Sequence, residues 1–173
     1  MADRSAVAVR VLDAADAPEY REVRLAALRR DPLAFLTTAE EFAARPLEDL
    51  AARLRPSAQA VTFGAVLDGR LVGLLTLARE AAPILAHRVN VYGVSVAPGA
   101  RGRGCGDALM AAALASVSRW PGVTSLHLAV METQPAARRL YERHGFQCWG
   151  RQPDAVRREG RSLAEDWMWR PAP

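Results

Sequence analysis

Apolar and polar positions follow two different periods along the first thirty residues. Residues 7–12, VAVRVL, show the two-residue alternation of a strand. Residues 23–28 then carry apolar side chains at helical spacing, in a segment that ends near Arg30. We expect Asp16 to be the N-cap of this helix and Pro18 to lie in its first turn, because both residue types suit a helix start.

The remaining elements are separated by turn residues. A second helical stretch at 38–55 is broken near Pro46. Asp68 and Gly69 join two β-rich runs, and a type I′ hairpin turn needs the positive φ that these residue types tolerate. Strands are predicted at 59–67, 70–79, 88–97, 123–131, 146–151 and 162–169, and helices at 107–118 and 135–144. Gly145 is expected to end the second of these helices, and Glu159 and Gly160 to form a polar turn between the last two strands.

This order, β-α-α-β-β-β-α-β-α-β-β, predicts a single mixed α/β (α+β) domain over residues 1–173. An antiparallel meander leads into one crossover helix, and no linker or internal repeat divides the chain. Half of the residues are apolar, which is enough for a core in one domain of this length. The sequence has no stretch of 18 apolar residues, and its first residues lack the apolar h-region of a secretory signal, so we expect a cytoplasmic protein with no membrane partner.

Composition argues against several functional classes. Cys105 and Cys148 are too few for a disulfide framework, and His87, His127 and His144 stand singly, so we expect no metal. The net charge is +4, and all 23 basic residues are arginine. They are spread along the chain with few aromatic residues among them, so we do not expect a nucleic-acid partner.

One glycine-rich loop carries the most specific chemical signal. It follows the strand at 88–97 and Pro98, and it runs directly into a helix. Unpaired N–H groups at a helix N-terminus bind phosphate, and Gly102, Gly104 and Gly106 allow close approach of the backbone to an anion. Arg101 and Arg103 add positive charge. The spacing does not fit a Rossmann fingerprint, and the absence of lysine excludes a Walker A loop.

The loop Arg101-x-x-Gly104-x-Gly106 resembles the pyrophosphate loop of the GNAT N-acetyltransferases. A second segment, Ala137-Arg-Arg-Leu-Tyr-Glu-Arg-His-Gly-Phe146, is similar to that family's A-x-x-L-Y-E-x-x-G-F signature. The sequence RLAALRRDPLAF, which begins at Arg24, also resembles the acceptor-side helices of many bacterial members. The resemblance therefore covers nearly the whole chain.

The resemblance implies the GNAT fold and an acetyl-CoA-dependent N-acetyltransferase. The strand before the loop would carry a bulge and splay from the next strand. Backbone groups of Val94 and Val96 would pair with the pantetheine arm, and an N–H there would stabilise a developing oxyanion. Loop residues Arg101–Gly106, with Cys105 among them as a small buried hydrophobe, would bind the pyrophosphate.

Two further residues are assigned roles by the resemblance. Tyr141 would be the general acid toward the departing thiolate, and the alternative is a core aromatic on an amphipathic helix. A thiol with a pKa near ~8.5 and a phenol near ~10 make this transfer feasible. Gln134 stands where many members have an Asn that contacts coenzyme A, and Gln is a poorer helix cap. We expect Pro135 at the first helical position.

No general base is evident. Two positions at which family members carry a Glu are occupied here by Asn90 and Ala129, neither of which can remove a proton. The candidates that remain, each also explicable as a solvated surface group, are His87, Glu80, Glu132, Glu165 and Asp166. We therefore predict proton removal through ordered water, as in many relatives.

The acceptor is left open by the sequence. A small-molecule amine is the first expectation and a peptide or protein amine the second. A catalytically inactive coenzyme A-binding module is the alternative from another class, suggested by the missing carboxylates. A homodimer also stays open. Trp149, Trp167 and Trp169 are expected to pack in the sheet rather than to form a substrate cage.

Overall fold

The computed structural model describes residues 6–173, which form a seven-stranded sheet with helices on both faces. The spatial order of the strands is β1-β2-β3-β4-β5-β7-β6. The strands are β1 Ala8–Val11, β2 Ala60–Leu67, β3 Arg70–Arg79, β4 Arg88–Val96, β5 Ser125–Met131, β6 Gln147–Arg158 and β7 Arg161–Pro171, and the helices are α1 Ala17–Arg30, α2 Ala39–Ala43, α3 Leu47–Leu54, α4 Cys105–Val117 and α5 Pro135–Arg143.

The sheet is antiparallel except where β4 meets β5. That parallel pairing is short, because only residues 88–90 of β4 are in register with 125–127 of β5. The two strands diverge beyond Asn90 and His127. The predicted mixed and splayed sheet is therefore confirmed, and the divergence opens the sheet at its middle.

The predicted bulge lies in β4 at the point of divergence. Thr76 of β3 pairs with Tyr92, whereas Leu74 pairs with Ser95, so β4 carries one extra residue here. Gly93 has a φ of +63°, which a residue with a Cβ adopts only with strain. The bulge turns the end of β4 away from β5.

Two apolar cores hold the helices on opposite faces of the sheet. On one face, Leu109 and Met110 of α4 pack with Leu140 and Tyr141 of α5. On the other face, the α1–α3 layer packs against the β1–β3 end of the sheet. Its buried members are Leu12, Ala17, Leu28, Phe42, Leu50, Leu54, Leu71 and Leu74.

The start of α1 differs in detail from the prediction. Asp16 occupies the N-cap position, and Pro18 lies in the first turn as expected, but the Asp16 side chain does not cap α1. It accepts hydrogen bonds from the Arg10 guanidinium and from the backbone N–H of Asp13. The carboxylate of Asp13 instead caps a short 3₁₀ turn at Ala14–Asp16 that precedes α1. The break at Pro46 is confirmed, since it separates α2 from α3.

The β6–β7 hairpin is longer than the sequence pattern predicted. The predicted turn is present, with positive φ at Glu159 and Gly160, as it is at Asp68 and Gly69. The predicted strand at 146–151 was too short, because β6 continues to Arg158 across a second irregularity in its register. This extension is polar and contains a proline, so it lacks the apolar alternation that marks a strand.

The prediction that three tryptophans pack in the sheet is wrong. Trp149, Trp167 and Trp169 have 62 %, 37 % and 37 % of their surface exposed. Trp167 and Trp169 flank the buried Met168, so strand alternation turns both toward the opposite face. That face is covered by α1–α3 only over the other end of the sheet. Trp149 and Trp167 contact each other, with ring centroids 6.4 Å apart.

Candidate active site

The divergence of β4 from β5 leaves a strand edge available inside the sheet. Beyond Asn90, no residue of β4 is in register with β5. Val94 and Val96 lie on this free stretch, and both are half-buried against the α4 core. A strand edge of this kind can pair with an extended ligand through main-chain hydrogen bonds. The structure thus places both predicted valines on a strand edge that is free to pair with an extended ligand.

Unpaired backbone donors are concentrated in the loop that follows. Within residues 6–173, no backbone carbonyl accepts a hydrogen bond of ordinary geometry from the N–H groups of residues 102–106. Gly102 and Gly104 have φ values of +72° and +84°, and an added Cβ at either would meet no atom within 4 Å. Gly104 is the N-cap of α4, which begins two residues earlier than predicted. The loop is therefore an open cradle of N–H groups at a helix N-terminus, as an anion site requires.

The two loop arginines extend toward different parts of the protein. Arg101 is 54 % exposed, donates from Nε to the carbonyl of Val96 at 3.2 Å, and pairs with Asp31 at 3.0 Å. Asp31 follows directly after α1, so this pair ties α1 to the loop. Arg103 lies 3.7 Å from Asp68 in the β2–β3 turn. Both pairs are at the surface and leave donors of each guanidinium free.

Cys105 and Gly106 have structural reasons for their identities. The Cys105 side chain is 1 % exposed, and burial raises the pKa of its thiol, so a reactive thiolate is disfavoured. A Cβ on Gly106 would lie 3.1 Å from Cδ2 of Leu140. Glycine is needed there for α4 to approach α5. Only the backbone N–H groups of these two residues face the loop.

Tyr141 lies in the core between α5 and the sheet. It is 7 % exposed, and its ring meets Phe146 edge-on at 6.1 Å. Burial raises the pKa of its phenol well above the ordinary value. No protein group within residues 6–173 hydrogen-bonds its hydroxyl. The side chain is thus a core aromatic whose phenol stays protonated at neutral pH, and its burial does not exclude the predicted role of general acid.

Hydrogen bonds show which of the candidate general bases already have structural partners. Asn90, which stands where some family members carry a Glu, donates from Nδ2 to the carboxylate of Glu80 at 2.8 Å. Glu132 accepts from the backbone N–H of Ala164 and from Arg151. Asp166 is 3 % exposed and accepts from Arg138 and Arg151. Glu132 and Asp166 therefore have structural roles.

Glu165 differs from the other candidates. It is half-buried on β7, opposite Met131 of β5, and has no ion pair within residues 6–173. Burial raises the pKa of its carboxyl. His87 is exposed, and its carbonyl accepts from the N–H groups of Thr124 and Ser125.

Two features beside α1 were not predicted from the sequence. A cavity of about 210 Å³ between α1, β3 and the end of β4 includes Ser95, whose hydroxyl oxygen is buried without a protein partner. Nearer the bulge, Arg24 of α1 places Nη1 3.5 Å from the carbonyl of Gly93. The pattern of apolar and polar residues gives no signal for the cavity or for the Arg24–Gly93 contact, because both depend on how α1 crosses the sheet. A larger cavity of about 420 Å³ lies at the β6–β7 hairpin and includes none of the predicted site residues.

Comparison with known families decides the class of the protein. The model of the acetyltransferase (GNAT) family matches residues 23–146, which include the glycine loop, the bulge and Tyr141. The chain belongs to the GNAT acetyltransferase family. No curated protein sequence matches the chain closely enough to be counted as a relative.

Solved structures share the fold of this GNAT acetyltransferase. A GNAT-family acetyltransferase from Streptococcus pneumoniae aligns with a TM-score of 0.79 at 20 % identity, over 97 % of this chain and 100 % of that one. The yncA protein of Salmonella typhimurium, a putative acetyltransferase solved with its cofactor acetyl-CoA, aligns with a TM-score of 0.81 at 20 % identity, over 98 % of this chain and 95 % of that one. A ribosomal-protein-alanine N-acetyltransferase from Brucella melitensis aligns with a TM-score of 0.76 at 23 % identity, over 95 % of this chain and 99 % of that one.

The residues of this GNAT acetyltransferase fit acetyl-CoA, the acetyl donor of the family. The open strand edge suits an extended amide-containing arm, and the loop of unpaired N–H groups suits a pyrophosphate. Gln134 occupies the N-cap position of α5, but its side chain does not cap the helix and, among residues 6–173, donates only to Thr133, at 3.4 Å. Pro135 begins the helix as expected.

Two kinds of feature are absent from the described part of the chain. Residues 6–173 contain no group of three or more His, Cys, Asp or Glu side chains arranged to hold a metal ion. None of their helices combines the length and the apolar character needed to cross a membrane.

Proposed function

We propose that this GNAT acetyltransferase acetylates the primary amine of a small molecule by direct attack within a ternary complex. The observation that carries the proposal is the junction at the β4 bulge. There the free strand edge, the cradle of N–H groups and the acceptor-side helix α1 meet around one opening in the sheet. A donor held along β4 would present its thioester between Tyr141 on one face and α1 on the other.

The residues of the chain have distinct roles in this proposal. The loop 101–106 binds the pyrophosphate, with Arg101 and Arg103 adding positive charge. Backbone groups of Val94 and Val96 hold the pantetheine arm, and an N–H on this edge stabilises the oxyanion that develops when the amine attacks. Gln134 contacts the cofactor near the start of α5.

Tyr141 protonates the departing thiolate. Its raised pKa keeps the phenol protonated at neutral pH, which a general acid requires. A higher pKa also makes the phenol a weaker acid. However, a thiolate formed in the same apolar surroundings has a raised pKa too, so the proton can still move. No covalent acetyl-enzyme is needed, because the amine attacks the thioester itself.

Proton removal from the amine goes through ordered water in our proposal. The two family positions for a Glu hold Asn90 and Ala129, and two of the other candidate carboxylates are engaged in structural contacts. The enzyme works as a single domain in the cytoplasm, as a monomer or a homodimer. A peptide amine is the second candidate acceptor, supported by the Brucella melitensis enzyme, whose described substrate is a ribosomal-protein alanine.

A panel of small amines and short peptides tests the proposal. The enzyme is incubated with acetyl-CoA and each acceptor, and free thiol is followed with time. We expect thiol release that depends on the added small amine. Release only with peptides would favour the second candidate, and binding of acetyl-CoA without amine-dependent release would indicate an inactive coenzyme A-binding module.

A further inference from the structure

We infer that the acceptor is an amine that also carries a carboxylate, of the free amino-acid class, and that Arg24 binds this carboxylate. The inference rests on the proposed function and specifies its substrate. Arg24 lies on α1 beside the bulge of β4, with Nη1 3.5 Å from the carbonyl of Gly93. This places the guanidinium beside the bulge where β4 leaves β5, on the face of the sheet that carries α1.

Arg24 is a half-buried cation without an anionic partner. Its hydrogen bond to Gly93 is at the limit of the accepted distance, and its guanidinium lies 4.3 Å from the centre of the Phe35 ring. No carboxylate within residues 6–173 pairs with it. Burial is the main cause that lowers its pKa. A buried cation of this kind is costly unless something compensates it.

A second arginine adds to the positive potential. The charge of Arg45 also lowers the pKa of Arg24, which places the two cations close enough to repel. Arg45 has no ion pair within residues 6–173, and its guanidinium lies 5.8 Å from the centre of the Phe42 ring. Tyr20, one turn before Arg24 on α1, is the third polar group in this cluster. Glu41 lies near enough to Arg45 for their charges to interact, so Arg24 is the cation of this pair that has no acidic neighbour among the described residues, and its charge favours an anion.

Arg21 shows what a structural arginine looks like on the same helix. Its two terminal nitrogens donate to the carbonyls of Arg45 and Ala43 at 2.9 and 2.6 Å. These bonds satisfy backbone groups at the end of α2 and fix α1 to that helix. Arg24, one turn further along, makes no comparable set of bonds. Its donors are therefore available to a ligand.

The anion at Arg24 belongs to the acceptor rather than to the coenzyme A pyrophosphate. Gly93 and Val96 are three residues apart, roughly 10 Å along a strand, and the phosphate loop begins still further on. A guanidinium matches a carboxylate through two parallel hydrogen bonds. A peptide N-terminus has an amide in place of this carboxylate, so the inference separates free amino acids from peptide acceptors.

The test compares each amino acid with its own amide as acceptor. Rates are expressed per neutral amine, because the two amines differ in pKa. We expect the wild-type enzyme to prefer the acid by roughly 10- to 100-fold in kcat/KM, the range for a hydrogen bond to a charged group. Arg24→Gln should lower kcat/KM for the acid to the level of its amide, and Arg24→Lys should restore part of the preference. Arg29→Gln, at an exposed position of the same helix, should retain the wild-type preference.

A binding measurement makes the inference testable without turnover. The thermal shift produced by an N-acetylated amino acid, in the presence of coenzyme A, is compared with that of the matching N-acetylated amide. We expect the N-acetylated amino acid, but not its amide, to stabilise the wild-type protein. Neither of the two compounds should stabilise Arg24→Gln. Equal use and equal binding of acid and amide by the wild type would overturn the inference. An equal loss of both in Arg24→Gln would show that Arg24 serves the fold or the donor. Absence of thiol release with every amine would instead contradict the proposed function.

Discussion

Gly106 and Leu140 are in contact, and this contact joins the two sequence signatures of the family. A Cβ at position 106 would lie 3.1 Å from Cδ2 of Leu140. Gly106 ends the phosphate-loop signature, and Leu140 directly precedes Tyr141 in the second one. The glycine therefore sets how closely the helix carrying the proposed general acid approaches the helix that begins at the phosphate cradle.

Gly106→Ala should destabilise the protein through this contact. The new methyl group must displace a buried leucine, and overpacking of this kind outweighs the gain in helix propensity, so we expect a net loss of about 1 kcal/mol. In the Leu140→Ala background the same substitution should be neutral or stabilising, giving a coupling energy of about 1–2 kcal/mol. Chemical denaturation of the four proteins measures it. Gly99→Ala, at a site with no atom within 4 Å of the added Cβ, should change stability by less than about 0.5 kcal/mol.

Gly104→Ala should weaken binding of coenzyme A by at least about 10-fold. The substitution strains a backbone with a φ of +84° and distorts the N–H cradle. Gly122→Ala is the matched control, because Gly122 also has a positive φ, +73°, and open surroundings. Both variants should lose similar stability, of about 1–2 kcal/mol. Calorimetry should show that only Gly104→Ala loses affinity for coenzyme A, and that neither changes affinity for pantetheine, which lacks the pyrophosphate. If Gly104→Ala lost affinity for coenzyme A and for pantetheine equally, the loop would not be the pyrophosphate site.

Tyr141→Phe should lower kcat by roughly 10²–10⁴-fold, the usual contribution of a general acid. The hydroxyl has no protein partner within residues 6–173, so its removal should leave the free energy of unfolding unchanged within about 0.5 kcal/mol. Steady-state kinetics and denaturation on one preparation check both statements. Tyr92, the exposed tyrosine of β4, is the comparison. A large loss in Tyr92→Phe, with Tyr141→Phe near wild type, would move the role of acid to the other face of the sheet.

The pH profile should be set by the acceptor at its lower limb and by Tyr141 at its upper limb. If water removes the proton, kcat/KM rises toward the pKa of each amine, and the limb moves when the amine is changed. An acid is active while protonated. Since burial raises the pKa of Tyr141 above the usual phenol value of ~10, no falling limb is expected below about pH 10.

The variants Glu165→Gln, Glu80→Gln and His87→Ala test for a protein base. Glu165 is the most informative, because it has no ion pair within residues 6–173 and burial raises the pKa of its carboxyl, which is the direction a general base needs. We expect each variant to retain activity within about tenfold and to keep the moving limb. A limb that stays fixed across amines, and disappears in one variant, would identify that residue as the base.

Much of the fold follows from local patterns that the sequence makes visible. The hairpin at Asp68 and Gly69, the helix break at Pro46 and the end of α5 at Gly145 depend on backbone conformations that few residue types adopt. The length of β6 was missed because its outer half pairs with β7 through backbone groups and carries polar side chains. The tryptophans were misplaced because alternation along β7 tells which residues share a face but not which face a helix covers.

The candidate site divides in the same way. The loop 101–106 and Tyr141 lie within contiguous signatures, so a sequence can reveal them. The contact between Arg24 and Gly93 joins residues 69 positions apart and depends on how α1 crosses the bulge. Likewise, the ion pair between Arg101 and Asp31 depends on the end of α1 lying beside the loop. Spacing along the chain holds no information on either.

Transfer of a labelled acetyl group tests the central claim most directly. The protein is incubated with acetyl-CoA carrying ¹³C in the acetyl group and with a mixture of small amines, and the products are examined by mass spectrometry and NMR. We predict that the label appears on the nitrogen of an amine in step with thiol release, that none remains on the protein, and that Tyr141→Phe slows both. Acetyl-CoA that binds the protein but keeps its label in the presence of every amine would contradict the account.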